Sequence, residues 1–246
     1  CDNWSGGTIY CSEVTKTLLL RLFAISPERI CALRLNEPVM LTGLDVVGRG
    51  DSFCVTLLDA NHCAGAVMFF FEGPFGHILH TGDCRLTPPV RERVLALGRQ
   101  IDVLYLDNTF CDPIFQFPPQ QQATKDIIDC IESIKASDQV LVGGDTDSDG
   151  SQHHHRGTRF VISVPGIGKE PLLIAVAKHF QTRIRVRPKR FATIEAAGFD
   201  TKWFVKGSAH PTWICAVPLN ELTVASLIKW NLSANYVTVG IKPTGF

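Results

Sequence analysis

The chain has 246 residues, 24 of them basic and 24 acidic, so its net charge is zero with histidine neutral, and its mean hydropathy is +0.11. That length allows one or two domains with a substantial core, and no apolar run approaches the ~18 residues of a membrane-spanning helix. Nine cysteines, an odd number without a single C-x-x-C, argue against a disulfide framework and against a cysteine-rich zinc module; they fit a reducing compartment, cytosol or nucleus.

No signal-peptide pattern opens the chain. Residues 2–7 form a loop that leads into a short strand at 8–10. Ser12 then caps a helix over residues 13–23, whose Val14, Leu18 and Leu22 recur at helical spacing. The pattern is that of a packing element with no chemistry of its own. Residues 39–47 and 53–58 read as two strands of a hairpin joined by Gly48-Arg49-Gly50-Asp51.

The next stretch organises the rest. After the strand at 53–58, a loop of small residues carries His62. A second strand at 66–71, a Gly- and Pro-rich turn at 72–76 and a third strand at 77–80 then deliver Asp83. One strand runs out and the next returns over similar lengths, at about 3.3 Å per residue. His62 and Asp83 are therefore expected at one edge of one sheet. Residues 88–98 read as a helix with proline at its start and glycine at its end, followed by a strand at 101–106 that ends at Asp107. Strand–helix–strand implies a parallel pair, so Asp107 is expected at the same edge. For any one His–Asp pair, a loop histidine and a turn carboxylate are the commoner explanation. The shared edge is what favours a divalent cation such as Zn²⁺. Cys63 and Cys84 flank these residues and could in principle bind metal as well.

Residues 110–119 form a loop with three prolines, and 120–136 an amphipathic helix with Ala123, Ile127, Cys130, Ile131 and Ile134 on one side. The polar, low-complexity run at 143–157 is expected to be a disordered excursion. Adjacent histidines there, His153, His154 and His155, lack the fixed geometry of a metal site. A strand at 159–164 meets Pro165-Gly166-Ile167-Gly168-Lys169-Glu170 and a helix to about 180. The spacing is too short for a phosphate loop. Backbone amides at that helix start, with Lys169, could still grip one phosphate; the alternative is a glycine turn with a solvated lysine. Residues 182–190 alternate, with Ile184 and Val186 on one face and Arg183, Arg185 and Arg187 on the other, and Lys189 and Arg190 beyond. Such a face is either solvated or laid against a nucleic-acid backbone. Residues 192–198 and apolar strands near Trp203 and Trp213 complete a second α/β unit. Charge is uneven: residues 101–155 hold ten acids and two bases, and residues 156–206 eleven bases and three acids. The basic block suits a polyanion.

Three segments together resemble the DNA cross-link-repair nucleases of the metallo-β-lactamase/β-CASP superfamily. They are Ala60-Asn61-His62-Cys63-Ala64-Gly65-Ala66-Val67-Met68-Phe69, then His80-Thr81-Gly82-Asp83-Cys84-Arg85, then Tyr105-Leu106-Asp107-Asn108-Thr109-Phe110-Cys111-Asp112-Pro113. Gly168-Lys169-Glu170 adds to the likeness. The resemblance implies an α/β fold in which residues 1–112 are part of a metallo-β-lactamase (αββα) domain, and 113–246 most of an inserted β-CASP nucleic-acid-binding domain. It implies that His62 is the ligand of the third family motif, Asp83 the metal-bridging aspartate of the fourth, and Asp107 the acid that opens the inserted domain. One or two Zn²⁺ ions would be the cofactor. The implied activity is hydrolysis of DNA phosphodiesters as a 5′-to-3′ exonuclease, in interstrand cross-link repair and at telomere ends. DNA with a 5′ end, repair or telomere proteins, and the nucleus follow as partners and location. The family's H-x-H-x-D-H motif is absent from this sequence, and Cys1 falls in the equivalent loop. A truncated sequence is the expectation, one that binds zinc poorly and cleaves nothing by itself. The rival expectations are an endonuclease of the same superfamily and a DNA-binding or scaffold protein without catalysis.

Overall fold

The computed structural model describes residues 6–23, 25–42, 52–142, 157–207, 212–233 and 236–243. The chain forms two compact units, Cys1–Gln116 with Ala196–Gly198, and Phe117–Glu195 with Phe199–Phe246. None of the described helices is long and apolar enough to cross a membrane.

In the first unit, β1 (Ile9–Ser12) runs straight into α1 (Glu13–Leu22), and β2 (Ile30–Leu33) pairs with β1 in parallel. Ser12 makes the switch from strand to helix. Its backbone is extended, while its hydroxyl accepts from the Thr15 amide at 3.2 Å, satisfying a donor that the first helical turn leaves open. A five-stranded sheet follows, built from β3 (Val39–Leu41), β4 (Phe53–Asp59), β5 (Val67–Gly73), β6 (Gly76–His80) and β7 (Val103–Tyr105), in that spatial order. Neighbours are antiparallel except β6 and β7, which are parallel through α2 (Pro88–Leu95). Both faces of the central strands are covered. Val55 and Leu57 pack with Leu33, Phe69 and Phe71 on one side, and Leu58, Met68, Phe70 and Leu79 pack with Val90 of α2 on the other. Burial on both faces explains why β4 reads as a near-continuous apolar run.

The β5–β6 hairpin is tighter than the sequence implied. Gly73 pairs with Gly76, leaving only Pro74 and Phe75 at the tip. Gly76 has φ +92°, and a Cβ there would lie 2.5 Å from Asp102 Oδ2. That same oxygen accepts from the His77 amide at 2.8 Å, so a glycine is needed for both reasons. Residues 43–51, which join the predicted first hairpin, lie outside the described residues.

The second unit is an open α/β sheet. It contains α3 (Gln120–Val142), β8 (Thr158–Val164), α4 (Glu170–His179), β9 (Ile184–Val186), α5 (Pro188–Ala196), β10 (Phe204–Lys206), β11 (Ile214–Pro218), α6 (Val224–Ser233) and β12 (Val237–Ile241). The strand order is β10-β9-β11-β8-β12, with every pair parallel. Phe160, Ile162, Ile184 and Ile214 pack with Ile131, Leu173, Val176 and Ile194 from α3, α4 and α5. The other face buries Val161 and Cys215 against Leu222, with Leu227 and Trp230 of α6 packed there too. The run at 143–156, with His153, His154 and His155, lies outside the described residues.

The structure differs from the expected alternating strand at 182–190. The alternating strand at 182–190 is only three residues long, because Pro188 opens α5. Lys189 and Arg190 therefore belong to a helix, not to the arginine face. Arg190 is turned inward. Its guanidinium meets Glu170 Oε1 at 2.8 Å and donates to the carbonyls of Gly168 (2.7 Å) and Pro165, while Glu170 Oε1 accepts from the Gly168 amide at 3.1 Å. Arg190 is 9% exposed and Glu170 1%. Removing one partner strands a buried charge, which costs about 3–5 kcal/mol. Arg190→Ala is expected to lower the unfolding free energy by about that amount, as read by urea denaturation; a loss of only a few tenths would mean the pair is solvated.

Candidate functional site

The strand directions create one rim. Antiparallel steps from β4 to β5 and from β5 to β6 leave β4 and β6 pointing the same way, and β7 is parallel to β6. The ends of β4, β6 and β7 therefore emerge together, followed by residues 60–66, 81–87 and 106–112. Backbone bonds tie the first two loops: the Arg85 amide donates to the Ala60 carbonyl at 2.9 Å. The Thr81 amide donates to the Tyr105 carbonyl at 2.9 Å, and the Asp107 amide to Thr81 Oγ1 at 2.9 Å. His62, Asp83 and Asp107 thus occupy neighbouring loops, as the sequence implied.

Asp107 is the hub. Its Oδ2 accepts from the Cys84 amide at 3.2 Å, and its Oδ1 accepts from the Thr109 amide at 3.0 Å and the Thr109 hydroxyl at 2.6 Å. The Thr109 hydroxyl, more than any other group, holds this carboxyl below its ordinary range. The Thr109 and Cys84 amides and the nearby His62 push the same way. Asp83 is exposed, one residue from the amide that Asp107 grips. Its turn is braced on the other side by His80, whose Nδ1 accepts from the Gly82 amide at 3.0 Å and whose ring stacks on Tyr105 at 5.4 Å. Burial, with Asp107 and Asp83 adding to it, pushes the Cys84 thiol up. That favours the protonated form, a poor metal ligand.

Nitrogen and oxygen donors suit zinc in kind. Their number falls short: among the described residues no group of three or more His, Cys, Asp and Glu side chains is placed to hold a metal ion.

Thr109 is a residue of the site that the pattern of strands and turns does not single out. The signal was present as Asp107-Asn108-Thr109, an aspartate that closes an Asx turn on the residue two positions later.

The four basic candidates all lie in the second unit. Lys169 sits at the start of α4 with φ +62°, on the loop that Arg190 and Glu170 clamp. Arg183 is exposed, and Arg187 is exposed but paired with Glu221 at 2.5 Å. Arg185 is half-buried in the sheet opposite Cys215. Its charge, with that of Arg159, acts against the burial that pushes the Cys215 thiol up.

Comparison with known proteins places the chain. No protein-family model matches it. It is 38% identical over 237 residues to a protein of Rattus norvegicus named 5′ exonuclease Apollo, covering 96% of this chain and 39% of that one. It is 36% identical over 244 residues to the Danio rerio protein of the same name, covering 99% and 38%. The Schizosaccharomyces pombe DNA cross-link repair protein pso2/snm1 is 33% identical over 253 residues, covering 99% and 40%. A crystal structure of a protein of unknown function from Enterococcus faecalis V583 matches with a TM-score of 0.50 at 12% identity, covering 97% of this chain and 64% of that one. At that identity the match speaks for the mixed α/β fold alone. By sequence, the chain is similar to proteins named for DNA cross-link repair, the pso2/snm1 protein among them. It is likewise a relative of the proteins named 5′ exonuclease Apollo. It spans about two-fifths of the length of these relatives.

Because the hydroxyl of Thr109 is the largest influence on Asp107, Thr109→Val is expected to raise the Asp107 pKa towards the ordinary value of ~3.9. A ¹³C-carboxyl NMR titration reads this directly. The sign follows from linkage: a depressed folded pKa contributes stability that is present above the unfolded pKa and lost as pH falls through the folded one. Thr109→Val should therefore lose less stability on acidification than the wild type.

Proposed function

We propose that the intact protein is a DNA phosphodiester hydrolase, a 5′ exonuclease acting in interstrand cross-link repair. The observation that carries this reading is the rim itself. In a chain related to proteins named 5′ exonuclease Apollo, three strand ends gather His62, Asp83 and Asp107 at one sheet edge. On this reading the first unit is part of a metallo-β-lactamase domain and the second a β-CASP domain. The location is the nucleus, and chromosome ends are a second substrate.

Zinc is the metal we assign to the intact site, with His62 and Asp83 as two of its donors. Among the described residues no group of three or more such donors is placed to hold a metal ion. Asp107 serves as a tie: ionised and gripping the Cys84 amide, it fixes the turn that presents Asp83. Lys169, Arg183, Arg185 and Arg187 contact the DNA backbone, where each neutralised phosphate releases counterions. A DNA-binding or scaffold protein without catalysis is the second reading, and the missing H-x-H-x-D-H motif of this sequence is what favours it.

The test uses the full-length protein on 5′-phosphorylated linear DNA and on hairpin DNA. Digestion from the 5′ end is expected, and Asp83→Asn should lower its rate by at least about 100-fold, more than the 10–100-fold typical of losing a group that merely supports a metal ligand. Hairpin opening without end digestion would mean an Artemis-like endonuclease, and binding without cleavage would favour the second reading. Replacing Arg183 and Arg187 together by alanine should reduce the slope of log K against log salt by about 1.4–1.8, the value for two phosphate contacts. An unchanged slope would leave these arginines as a solvated face. The 246-residue chain by itself is expected to retain less than one zinc per molecule after dialysis and to cleave nothing.

A further inference from the structure

The loop that carries His62 is held from two sides. One is the 81–87 loop, through the Arg85 amide on Ala60. The other is the start of α1. The Gly65 carbonyl accepts from Ser12 Oγ and from Thr15 Oγ1, each at 2.9 Å, so both of its lone pairs are used. The two hydroxyls lie 3.0 Å apart, and Ser12 also accepts from the Thr15 amide. Ser12 is buried, at 5% exposure. Gly65 has φ +83°, and a Cβ there would sit 2.6 Å from Thr15 Oγ1 and 3.1 Å from the Thr15 amide nitrogen. Neither conformation nor space admits a side chain. The loop also closes on itself, through the Ala66 amide on Cys63 (3.0 Å) and the Ala60 amide on Ala66 (3.2 Å).

Packing of α1 does not account for these bonds. Its buried side chains are Leu18 and Leu19, whereas the hydroxyls of Ser12 and Thr15 reach a carbonyl about fifty positions away. We infer that Ser12 and Thr15 are positioning residues that set His62 at the rim by clamping Gly65. The helix start that read as mere packing thereby acts on the site. This inference rests on the assignment of His62 to the nuclease site. A displacement of only ~1 Å at a reacting group can cost ~100-fold in rate, so a small slackening of the loop should register.

The test is Thr15→Val in the full-length protein. Valine keeps the branched shape, and the Thr15 backbone amide still reaches Ser12, so the helix cap survives. Two quantities are read: kcat and KM on 5′-phosphorylated DNA, and amide hydrogen exchange across residues 60–66. The variant is expected to lower kcat at least about tenfold with KM within about twofold, and to speed exchange in 60–66 but not in β4 or β5. Thr15→Ser should restore both. If Thr15→Val does not fold, Ser12→Gly carries the test, because glycine is tolerated at a cap while one clamping hydroxyl is lost. Unchanged kcat in a protein that His62→Ala inactivates would overturn the inference, as would unchanged exchange. If His62→Ala keeps full activity, the assignment of His62 fails instead, and exchange alone then decides whether the clamp exists.

Discussion

A single carboxylate, that of Asp107, holds the rim together. It takes one bond from the 81–87 loop and two from its own turn, while its amide reaches back to Thr81. These bonds form only if β6 and β7 are parallel and in register, since His80 must lie opposite Tyr105 for the two loops to start level. The α2 crossover enforces that pairing, and Val90, fully buried under Met68, Phe70 and Leu79, fixes where the helix lies. A chain of causes therefore runs from one apolar contact beneath the sheet to the placement of charge at its edge.

The two ways of holding a loop differ in character. At the rim, neutral hydroxyls and amides grip an ionised carboxylate, a charge-assisted arrangement of the stronger kind. In the second unit, the loop before α4 is held by a buried ion pair whose guanidinium also takes two backbone carbonyls. A buried pair adds little net stability against an apolar substitute, but it penalises every arrangement that separates the partners. Its effect is to fix one geometry for Lys169, whose left-handed backbone has no reason to persist in a loose loop.

Much of this was legible in the sequence where period and punctuation agree. The out-and-back strands from 53 to 80, the helix opened by Pro88 and the parallel return to Asp107 follow from alternation, turn residues and a crossover rule. They place His62, Asp83 and Asp107 on one edge. What stayed hidden depends on side chains meeting across sequence. Arg190 looked like one more surface cation beyond an arginine strand; only the proximity of Glu170 makes its burial intelligible. Ser12 was readable as a cap, yet its second partner, Gly65, lies fifty-three positions on. The short set of metal donors was legible only through the missing H-x-H-x-D-H motif, because which of the remaining donors meet depends on convergence in space and not on residue type.

The nuclease site depends on three loops sharing one rim, and NMR distance restraints on the 246-residue chain test that most directly. Nuclear Overhauser contacts are predicted between the Arg85 amide and Ala60, between the Cys84 amide and the Asp107 β-protons, and between the Thr81 amide and Tyr105. Finding all three would join the loops of His62, Asp83 and Asp107 in solution. Contacts within each loop but none between them would contradict the shared rim and remove the physical basis for the nuclease site.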